Sequence, residues 1–435
     1  MLKIIYSCSC EFPHAIQYRF RSILKLRTNV ICNRNYAKGN KSTVLGIETS
    51  CDDTGCAIVD SDGCILGEAL QSQQHIHLSH GGIIPPIARD LHQQNIESVV
   101  NNALQAANLQ LLDVDAIATT VKPGLPLSLL VGTNYGKHLS RISGKPFIPI
   151  HHMEAHALTV RMVQKVNFPF LVLLISGGHC LLAVVKNVDK FLLLGQSIDD
   201  APGEAFDKAA RRLKLRNLPE FRTLSGGRAI EFAASKSVNP RAFEFPTILA
   251  HYRDCNFSVA GLKNTLRKHI LKQEKLHDVE ADELIPSVFD LCASFQFAIT
   301  RHLCQRLQRG MEFVTLRNLL PHDKKTLVVS GGVACNKFIK GAVGKVCQEM
   351  GYSLAVPPPH LCTDNGVMIA WNGIERWQTN AGVTYDLDSV DIESKCPLGE
   401  DWREEVTKAN IKCKWIKLAS LFESGAKEEV IAMNT

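Results

Sequence analysis

The hydrophobic positions of the chain alternate between short apolar runs and longer segments of helical spacing, which is typical of an α/β protein. Strands alternating with helices in this way build βαβ units around a mainly parallel sheet. The apolar runs predict strands at 44–50, 56–59, 116–121, 146–150, 170–175, 180–185 and 326–329. Helical spacing predicts helices at 90–109, 127–141 and 196–213.

Each half of the chain opens with the same arrangement of strand, polar turn and strand. The first turn holds residues 51–55 (CDDTG) and the second holds residues 176–179 (SGGH). Ordinary hairpin or acidic turn chemistry explains either turn taken alone. At 435 residues the chain also exceeds a single core. Two lobes that each begin with such a hairpin predict an α/β, actin-like fold of the sugar kinase and ATPase type, with a duplicated βαβ core.

Charge separates the N-terminal segment from the remainder. Residues 1–41 contain eight Lys or Arg and one acid, Glu11, which leaves 41 basic and 42 acidic residues of the totals of 49 and 43. A basic segment almost free of acids predicts a mitochondrial transit peptide over 1–36, processed before Ala37. A basic tail that contacts RNA is the alternative. Because the remainder is nearly neutral, any RNA site on it must be a local patch.

Neither the apolar segments nor the cysteines indicate a membrane or secreted protein. The most apolar segment, 168–185, is interrupted by the SGGH turn and is a poor membrane span. Of the 15 cysteines, three lie in the leader, and no two of the other twelve form a Cys-x-x-Cys. This pattern favours reduced, mostly buried thiols over disulfides or a thiolate zinc site.

Residues 151–156 (HHMEAH) are the first candidate for chemistry. They follow a predicted strand and continue into helix-tolerant residues, so His152 and His156 lie one turn apart on one helical face. Two imidazoles at this spacing can reach one metal ion. Two packed or solvated histidines would give the same spacing. Glu154 lies two residues after His152, so the His-Glu-x-x-His of zinc proteases is absent.

Glycine-containing loops are the second candidate. Residues 330–336 (SGGVACN) end a buried strand and open a helix, where backbone N–H groups can approach an anion or nucleoside closely. No Gly-Lys is followed by Ser or Thr, so a Walker P-loop is absent. Asp364, within 362–366 (CTDNG) and before a last helix through Trp371, would by itself suit a helix cap.

Six of these stretches occur in the order found in one enzyme family. Together they resemble the TsaD family, the tRNA N6-adenosine threonylcarbamoyltransferases, over about residues 44–378. With the basic leader they resemble its mitochondrial branch. The six stretches are 48–52 (ETSCD), 151–156 (HHMEAH), 176–179 (SGGH), 204–208 (EAFDK), 330–336 (SGGVACN) and 362–366 (CTDNG).

The resemblance implies a reaction as well as an actin-like, two-lobed fold. A threonylcarbamoyl group would pass from threonylcarbamoyl-AMP to N6 of the adenosine at position 37 of mitochondrial tRNAs that read codons starting with adenine, with release of AMP. It implies one divalent metal ion per subunit, iron or zinc, a location in the mitochondrial matrix and no membrane span. Whether the protein acts alone or as a homodimer stays open.

The resemblance also assigns site residues. The metal ligands would be His152, His156 and Asp364. Asp52, on the first hairpin, is our candidate for accepting the proton of the attacking amine. The residues predicted to bind the adenylate donor are Leu174, Ile175, Ser176, Gly177, Gly178, Asp207, Gly227, Cys335, Asn336 and Thr363. The chain departs from the family pattern at Lys122, Asp53 and Ala260, none of which is a predicted ligand.

We expect four parts along the chain and keep three other functions open. The parts are the transit peptide at 1–36, a first lobe at 44–165 closed by a C-terminal helix at 366–378, a second lobe at 168–356 and an extension at 380–435 without an assigned role. An ATP-dependent kinase of the same fold would leave the paired histidines unexplained. A metalloprotease conflicts with the position of Glu154. A non-catalytic scaffold for tRNA modification would not need the intact ligand set.

Overall fold

A computed structural model describes residues 41–80 and 82–418. The predicted transit peptide at 1–36 lies outside the described residues. The first half forms a five-stranded sheet with four α-helices. Its strands are β1 (Thr43–Glu48), β2 (Asp53–Asp60), β3 (Ile65–Ser72), β4 (Ala116–Lys122) and β5 (Phe147–His151). Its helices are α1 (Gln74–Ser79), α2 (Pro85–Ala107), α3 (Pro126–Ser143) and α4 (His152–Val163).

The second half forms a six-stranded sheet and the remaining helices. Its strands are β6 (Phe170–Ile175), β7 (Cys180–Asn187), β8 (Lys190–Gln196), β9 (Thr326–Ser330), β10 (Ser353–Ala355) and β11 (Glu400–Asp401). The helices are α5 (Pro202–Arg212), α6 (Gly226–Ser235), α7 (Ala260–Leu276), α8 (Val288–Leu316), α9 (Lys337–Met350), α10 (Pro359–Cys362), α11 (Gly366–Thr379) and α12 (Arg403–Lys408). In the described part of the chain, no helix is both long enough and apolar enough to span a membrane.

The two sheets repeat one topology. The first has the order β3-β2-β1-β4-β5, and the second has the order β8-β7-β6-β9-β10 with β11 added beside β8. In the first sheet β2 is antiparallel to β1, while β1, β4 and β5 are parallel to one another. In the second sheet β7 is antiparallel to β6, while β6, β9 and β10 are parallel to one another. This duplication confirms the predicted α/β, actin-like fold. The hairpins predicted around 51–55 and 176–179 are the β1–β2 and β6–β7 connections.

Two helices lie between the sheets. Helix α11 packs on β1, β2 and α4, and α4 also contacts β6 and β9. The buried side chains of this central layer form one apolar cluster with both sheets, for example Val44 and Ala57 of the first, Val172 and Val328 of the second, and Met368 of α11. The remaining helices cover the outer faces. The C-terminal helix is therefore held next to α4, more than two hundred residues earlier in the chain.

Two glycines allow helix α11 to lie directly on the first sheet. A Cβ atom at Gly46 of β1 would be 2.2 Å from the backbone nitrogen of Ala370, and one at Gly366 would be 2.4 Å from the carbonyl carbon of Cys56. No larger residue fits against backbone at such distances. This close packing fixes where α11 begins, and so fixes the position of the loop just before it.

Several element boundaries differ from those predicted. Helix α2 begins at Pro85, five residues before the predicted start at 90, because proline suits the first turn of a helix. Helices α6 and α7, which begin at Gly226 and Ala260, are not among the predicted helices. Glycines near these two starts obscured them.

The C-terminal segment, predicted as an extension without an assigned role, runs along both sheets. Thr384 pairs with Phe147 of β5, and the N–H of Glu393 donates to Val121 of β4 at 3.0 Å. Strand β11 then pairs with β8 of the second sheet. Residues 384–401 therefore connect the edges of the two sheets.

Candidate metal and adenylate site

The paired histidines lie where strand β5 becomes helix α4. His152 is the first residue of α4, and His156 follows one turn later on the same face. The helix begins here because His151 caps it: its Nδ1 accepts a hydrogen bond from the N–H of Met153 at 3.1 Å. Both His152 and His156 are buried, with 5% and 1% of their surface exposed. The structure therefore confirms the prediction that the two side chains lie one turn apart at the start of a helix.

Asp364 faces both histidines across the central layer. Its Oδ1 lies 3.0 Å from Nε2 of His156 and 3.5 Å from Nε2 of His152. The cap of α11 is Asn365, whose Oδ1 accepts from the N–H of Met368 at 2.8 Å. The interpretation of Asp364 as a helix cap is therefore wrong, and its carboxylate is free to act with the histidines.

The three side chains have the chemistry and spacing of a metal site. Their ligand atoms all lie within 4.8 Å of one another. Ligand atoms bound tetrahedrally to one zinc-sized ion are about 3.4 Å apart, close to the two measured separations. Two imidazoles and one carboxylate suit either zinc or iron. His152, His156 and Asp364 therefore form a group that can hold a divalent ion.

A second buried carboxylate, not assigned from the sequence, lies behind His152. Oε2 of Glu48 is 3.1 Å from Nδ1 of His152 and accepts from the Thr120 hydroxyl at 2.6 Å. Its Oε1 accepts from the N–H of Ser50. A carboxylate at Nδ1 holds one imidazole proton there, so that Nε2, which faces Asp364, is the nitrogen left for a metal ion. Glu48 therefore fixes both the tautomer and the orientation of His152.

The two carboxylates make the surroundings of the histidines strongly negative. Burial favours the neutral imidazole of His152, but the charges of Glu48 and Asp364 outweigh it and raise its pKa to about 9. Burial likewise opposes ionisation of Asp364, yet His152 and His156 hold the pKa of Asp364 well below its ordinary value. A positive charge is thus favoured between the two carboxylates, where the histidines lie. This region, together with the space next to the turn at 176–179, is called the cleft below.

Replacing Glu48 by glutamine should weaken metal binding. The amide cannot present two acceptor oxygens to Ser50, Thr120 and His152, so the imidazole loses its fixed tautomer. We expect about 10- to 100-fold lower affinity for Zn²⁺, measured by chelator competition. The matched control is Glu154→Gln, also a buried glutamate, which pairs with Arg376 instead of a histidine. Equal zinc affinities of Glu48→Gln and the wild type would contradict this role.

The predicted donor loop lies at the carboxyl end of β6. The N–H of Ser176 donates to the carbonyl of His179 at 2.8 Å, which closes the turn. The N–H of Gly203, in the first turn of α5, donates to the carbonyl of Ser176 at 3.2 Å. A Cβ atom at Gly177 or Gly178 would meet no atom within 4 Å. The N-terminus of α5 thus packs against the turn and hydrogen-bonds to it, while open space lies next to the two glycines.

His179 places this turn beside the histidine pair. Its ring centroid is 6.4 Å from that of His152. Burial, followed by the charge of His152, lowers the pKa of His179 to about 4, so its imidazole is neutral near pH 7. The sequence analysis gave neither His179 nor Glu48 a role, although both lie inside quoted motifs. Glu48 could have been found as the one acid closing an otherwise apolar strand.

Other predicted donor residues lie at the ends of β6 and β9 and in the loop before α11. Leu174 and Ile175 end β6 and are buried. Gly331 follows β9 with φ +98°, and a Cβ atom there would be 2.4 Å from the Ile175 carbonyl oxygen, so only glycine fits. The methyl group of Thr363 would lie 3.9 Å from a Cβ atom at Gly332. The loop after β9 is therefore packed between the end of β6 and the segment carrying Asp364.

Asn336 and Cys335 have internal partners in that loop. Oδ1 of Asn336 caps α9 by accepting from Ile339 at 3.0 Å, and its Nδ2 donates to Gln296 at 3.0 Å. The Cys335 thiol points to the carbonyl of Pro359 at 3.8 Å. The side chain of Asn336 thus secures the loop's shape, which leaves the backbone as the part that can face a ligand.

Asp207 lies in α5 of the second half of the chain, and Asp52 lies on the β1–β2 turn of the first half. Asp207 of α5 accepts from the backbone N–H groups of Gly226 and Gly227, and burial raises its pKa nevertheless. Burial also raises the pKa of Asp52, with a further contribution from the charge of Asp364. No hydrogen bond joins Asp52 to His152 or His156 in the described chain. Asp52 is therefore close enough to Asp364 for that charge to affect its pKa, although no hydrogen bond links it to the histidines.

Comparison with known proteins gives a consistent result. The family described as "TsaD: tRNA N6-adenosine threonylcarbamoyltransferase" matches residues 64–371. The chain is 52% identical over 377 residues to the mitochondrial tRNA N6-adenosine threonylcarbamoyltransferase of Xenopus tropicalis, covering 87% of this chain and 93% of the relative. For the mitochondrial human protein of the same name the values are 50% over 375 residues, 86% and 90%. The Rhizobium johnstonii enzyme is 42% identical over 361 residues, covering 82% and 94%.

Proposed function

This chain belongs to the TsaD family of tRNA N6-adenosine threonylcarbamoyltransferases, and from that premise we propose that its cleft holds threonylcarbamoyl-AMP between the glycine turns and the His152, His156 and Asp364 group. The protein is a tRNA-modifying acyltransferase. The observation that carries the proposed site is the meeting of these three side chains beside the turn at 176–179, with open space above Gly177 and Gly178. The donor's nucleotide would lie along that turn.

The reaction joins a weak nucleophile to an activated acyl donor. N6 of adenosine 37 attacks the carbamoyl carbon and a C–N bond forms. The bond from that carbon to the phosphate oxygen breaks, AMP leaves with the electron pair, and the amine gives up one proton. The anhydride provides the activation, so the chain's main task is to hold donor and acceptor in reacting geometry.

Each predicted residue has a role in that geometry. The backbone of Gly177 and Gly178 approaches the donor closely, because neither residue has a side chain to occupy the space. Asp207 and Gly227, together with the Asn336 loop, hold the nucleoside end. His152, His156 and Asp364 would hold a divalent ion, which would supply electrostatic stabilisation of negative oxygen on the donor. Glu48 keeps His152 oriented for that binding.

Asp52 is the proposed acceptor of the amine proton. It lies on the β1–β2 turn at the cleft, and burial brings its pKa upwards towards the working pH. A carboxylate with a raised pKa is a better general base near neutral pH than an ordinary one. Adenosine 37 must leave its stack in the anticodon loop to reach this group, as sequence-reading RNA proteins generally require.

The proposal is tested by transfer with purified protein. Unmodified mitochondrial tRNA that reads codons starting with adenine is incubated with threonylcarbamoyl-AMP, and the RNA is digested to nucleosides for mass spectrometry. We expect threonylcarbamoyladenosine at position 37 and one AMP released per modification. Absence of the modified nucleoside would favour the scaffold alternative, and ATP turnover coupled to transfer would favour the kinase alternative.

We also propose that residues 1–36 direct the protein to the mitochondrial matrix. The motive is the balance of eight basic residues to one acid in 1–41, together with the mitochondrial names of relatives near 50% identity. A protein beginning at Ala37 should keep its transfer activity in vitro and remain in the cytosol of cells. Matrix localisation of that shortened protein, followed by fluorescence and fractionation, would contradict the assignment.

A further inference from the structure

Helix α7 carries a concentrated positive charge on its exposed side. Leu262, Leu266 and Ile270 are its buried residues, and the helix contacts α5 and α8. Between Ala260 and Leu276 there are five basic residues and one acid, Glu274. The four basic residues on the exposed side recur at helical spacing and are Arg267, Lys268, Lys272 and Lys275. We call these four the α7 stripe.

The charge of the α7 stripe is not neutralised by neighbouring acids. Glu274 pairs instead with Arg212 at 2.8 Å and Lys214 at 3.3 Å. Among the residues the structure describes, no carboxylate lies within 4.0 Å of any member of the stripe. Outside residues 1–41 the chain has 41 basic and 42 acidic residues, so this cluster is a local departure from a near-neutral surface. Such a patch attracts a polyanion.

Helix α7, which carries the stripe, starts close to the adenylate site. At the N-terminus of α7, the N–H of Val259 donates to Asp199 at 2.9 Å, and Lys263 pairs with Asp200. These two acids lead into α5, whose first turn supports the donor loop through Gly203 and Ser176. Helix α7 therefore starts one loop away from the cleft, and at 1.5 Å for each residue it is about 25 Å long. Glu274, near its end, pairs with Arg212 at the end of α5, so α7 runs alongside α5 and away from the donor loop.

An exposed aromatic side chain lies on the loop beside this helix start. Tyr252 is 61% exposed, and Ile248 of the same loop packs against Gly261 of α7. Two buried arginines of α8, Arg306 and Arg309, stabilise this loop. Both donate to the carbonyl oxygens of Tyr252 and Asp254 at 2.8–3.1 Å. Aromatic rings next to basic residues are the usual means of contacting unpaired RNA bases.

We propose that the α7 stripe binds the phosphate backbone of the tRNA. The inference rests on the proposed function, since adenosine 37 must enter the cleft while the attached anticodon stem leaves across a neighbouring surface. A basic helix that starts beside the cleft and continues away from it matches that path. An acidic protein partner is the competing occupant, but it would not require the helix that carries the stripe to start beside the cleft.

The test compares two fourfold alanine variants of the whole protein. One replaces Arg267, Lys268, Lys272 and Lys275. The other removes four exposed lysines from other surfaces, at positions Lys165, Lys190, Lys324 and Lys412. The measured quantities are the Kd for unmodified tRNA over a range of NaCl concentrations, metal content, and kcat and KM for transfer. Both variants remove the same formal charge, so a general electrostatic effect is controlled.

The stripe variant should bind tRNA at least about 10-fold more weakly and lower the slope of log K against log salt by about 3 to 4, which is close to one for each lost phosphate contact. Its metal content and its kcat at saturating tRNA should stay near wild type. The inference is overturned if Kd and salt slope are unchanged, which would leave an acidic protein as the occupant, or if the control variant loses as much. Failure of the wild type to transfer would sink the proposed function without affecting this binding comparison.

Discussion

Replacing Asp364 by serine should remove the bound metal and reduce threonylcarbamoyl transfer by more than about 100-fold, because loss of a direct ligand exceeds the effect of losing a group behind one. The protein should stay folded. Helix α11 keeps its cap, which is Asn365, and keeps its backbone contact with β1 through Gly46 and Gly366. Metal content by elemental analysis, circular dichroism and transfer rate, measured on the same preparation, check the expectation.

The two histidines should give the same result as Asp364. His152→Ala and His156→Ala should each lower metal content and transfer together, and the double variant should be little worse than either, because groups that act as one unit are not additive. His151→Asn is the matched control. Asparagine retains an N-cap acceptor for Met153, so this neighbouring histidine can be replaced without loss of metal. A folded, fully metallated and fully active Asp364→Ser protein would show that the three residues do not form a site.

Replacing Gly177 by valine should weaken donor binding while leaving the fold intact. A Cβ atom at this position points into open space, and the φ of Gly177 lies outside the left-handed region, so the Cβ of valine clashes with no protein atom and causes no backbone strain. Its methyl groups would fill the space in which the donor must approach the backbone. We expect the KM for threonylcarbamoyl-AMP to rise by about 10-fold or more, which corresponds to about 1.4 kcal/mol of lost binding. Thermal stability should be unchanged.

Gly203→Ala separates this effect from a general disturbance of the turn. Its added Cβ would lie 2.6 Å from the Ser176 carbonyl oxygen and 2.8 Å from the Gly177 Cα, so this variant should lose thermal stability. The Gly177→Val protein should not. If Gly177→Val bound the donor with wild-type affinity, the turn at 176–179 would not be the donor site.

The sequence predicted the fold and the histidine pair better than the third ligand. The strand–turn–strand repeat at 51–55 and 176–179 indicated two lobes, and a spacing of four residues placed His152 and His156 on one helical face. Asp364 could be joined to them only through the family resemblance. Its contact depends on α11 packing against β1, a contact between residues more than two hundred positions apart, and no local pattern contains that information.

The sequence also left local choices that only packing decides. Asp364 and Asn365 are both good cap residues, and in the structure Asn365 is the cap. Strand β11 has two residues, too few to show any periodicity, although it ties the C-terminal segment to β8. The role of Glu48 depends on its contact with Nδ1 of His152, a residue 104 positions later in the chain. Spacing along the chain cannot show such a contact.

The most direct test of the site is metal removal and return with the wild-type protein. The protein is stripped with a chelator, then titrated with Zn²⁺ or, without oxygen, Fe²⁺, and bound metal and threonylcarbamoyl transfer are measured at each step. Transfer should be lost with the metal, should return in proportion to the ion bound, and should level off at one ion per subunit. Transfer at the wild-type rate by protein with no detectable metal would contradict the account.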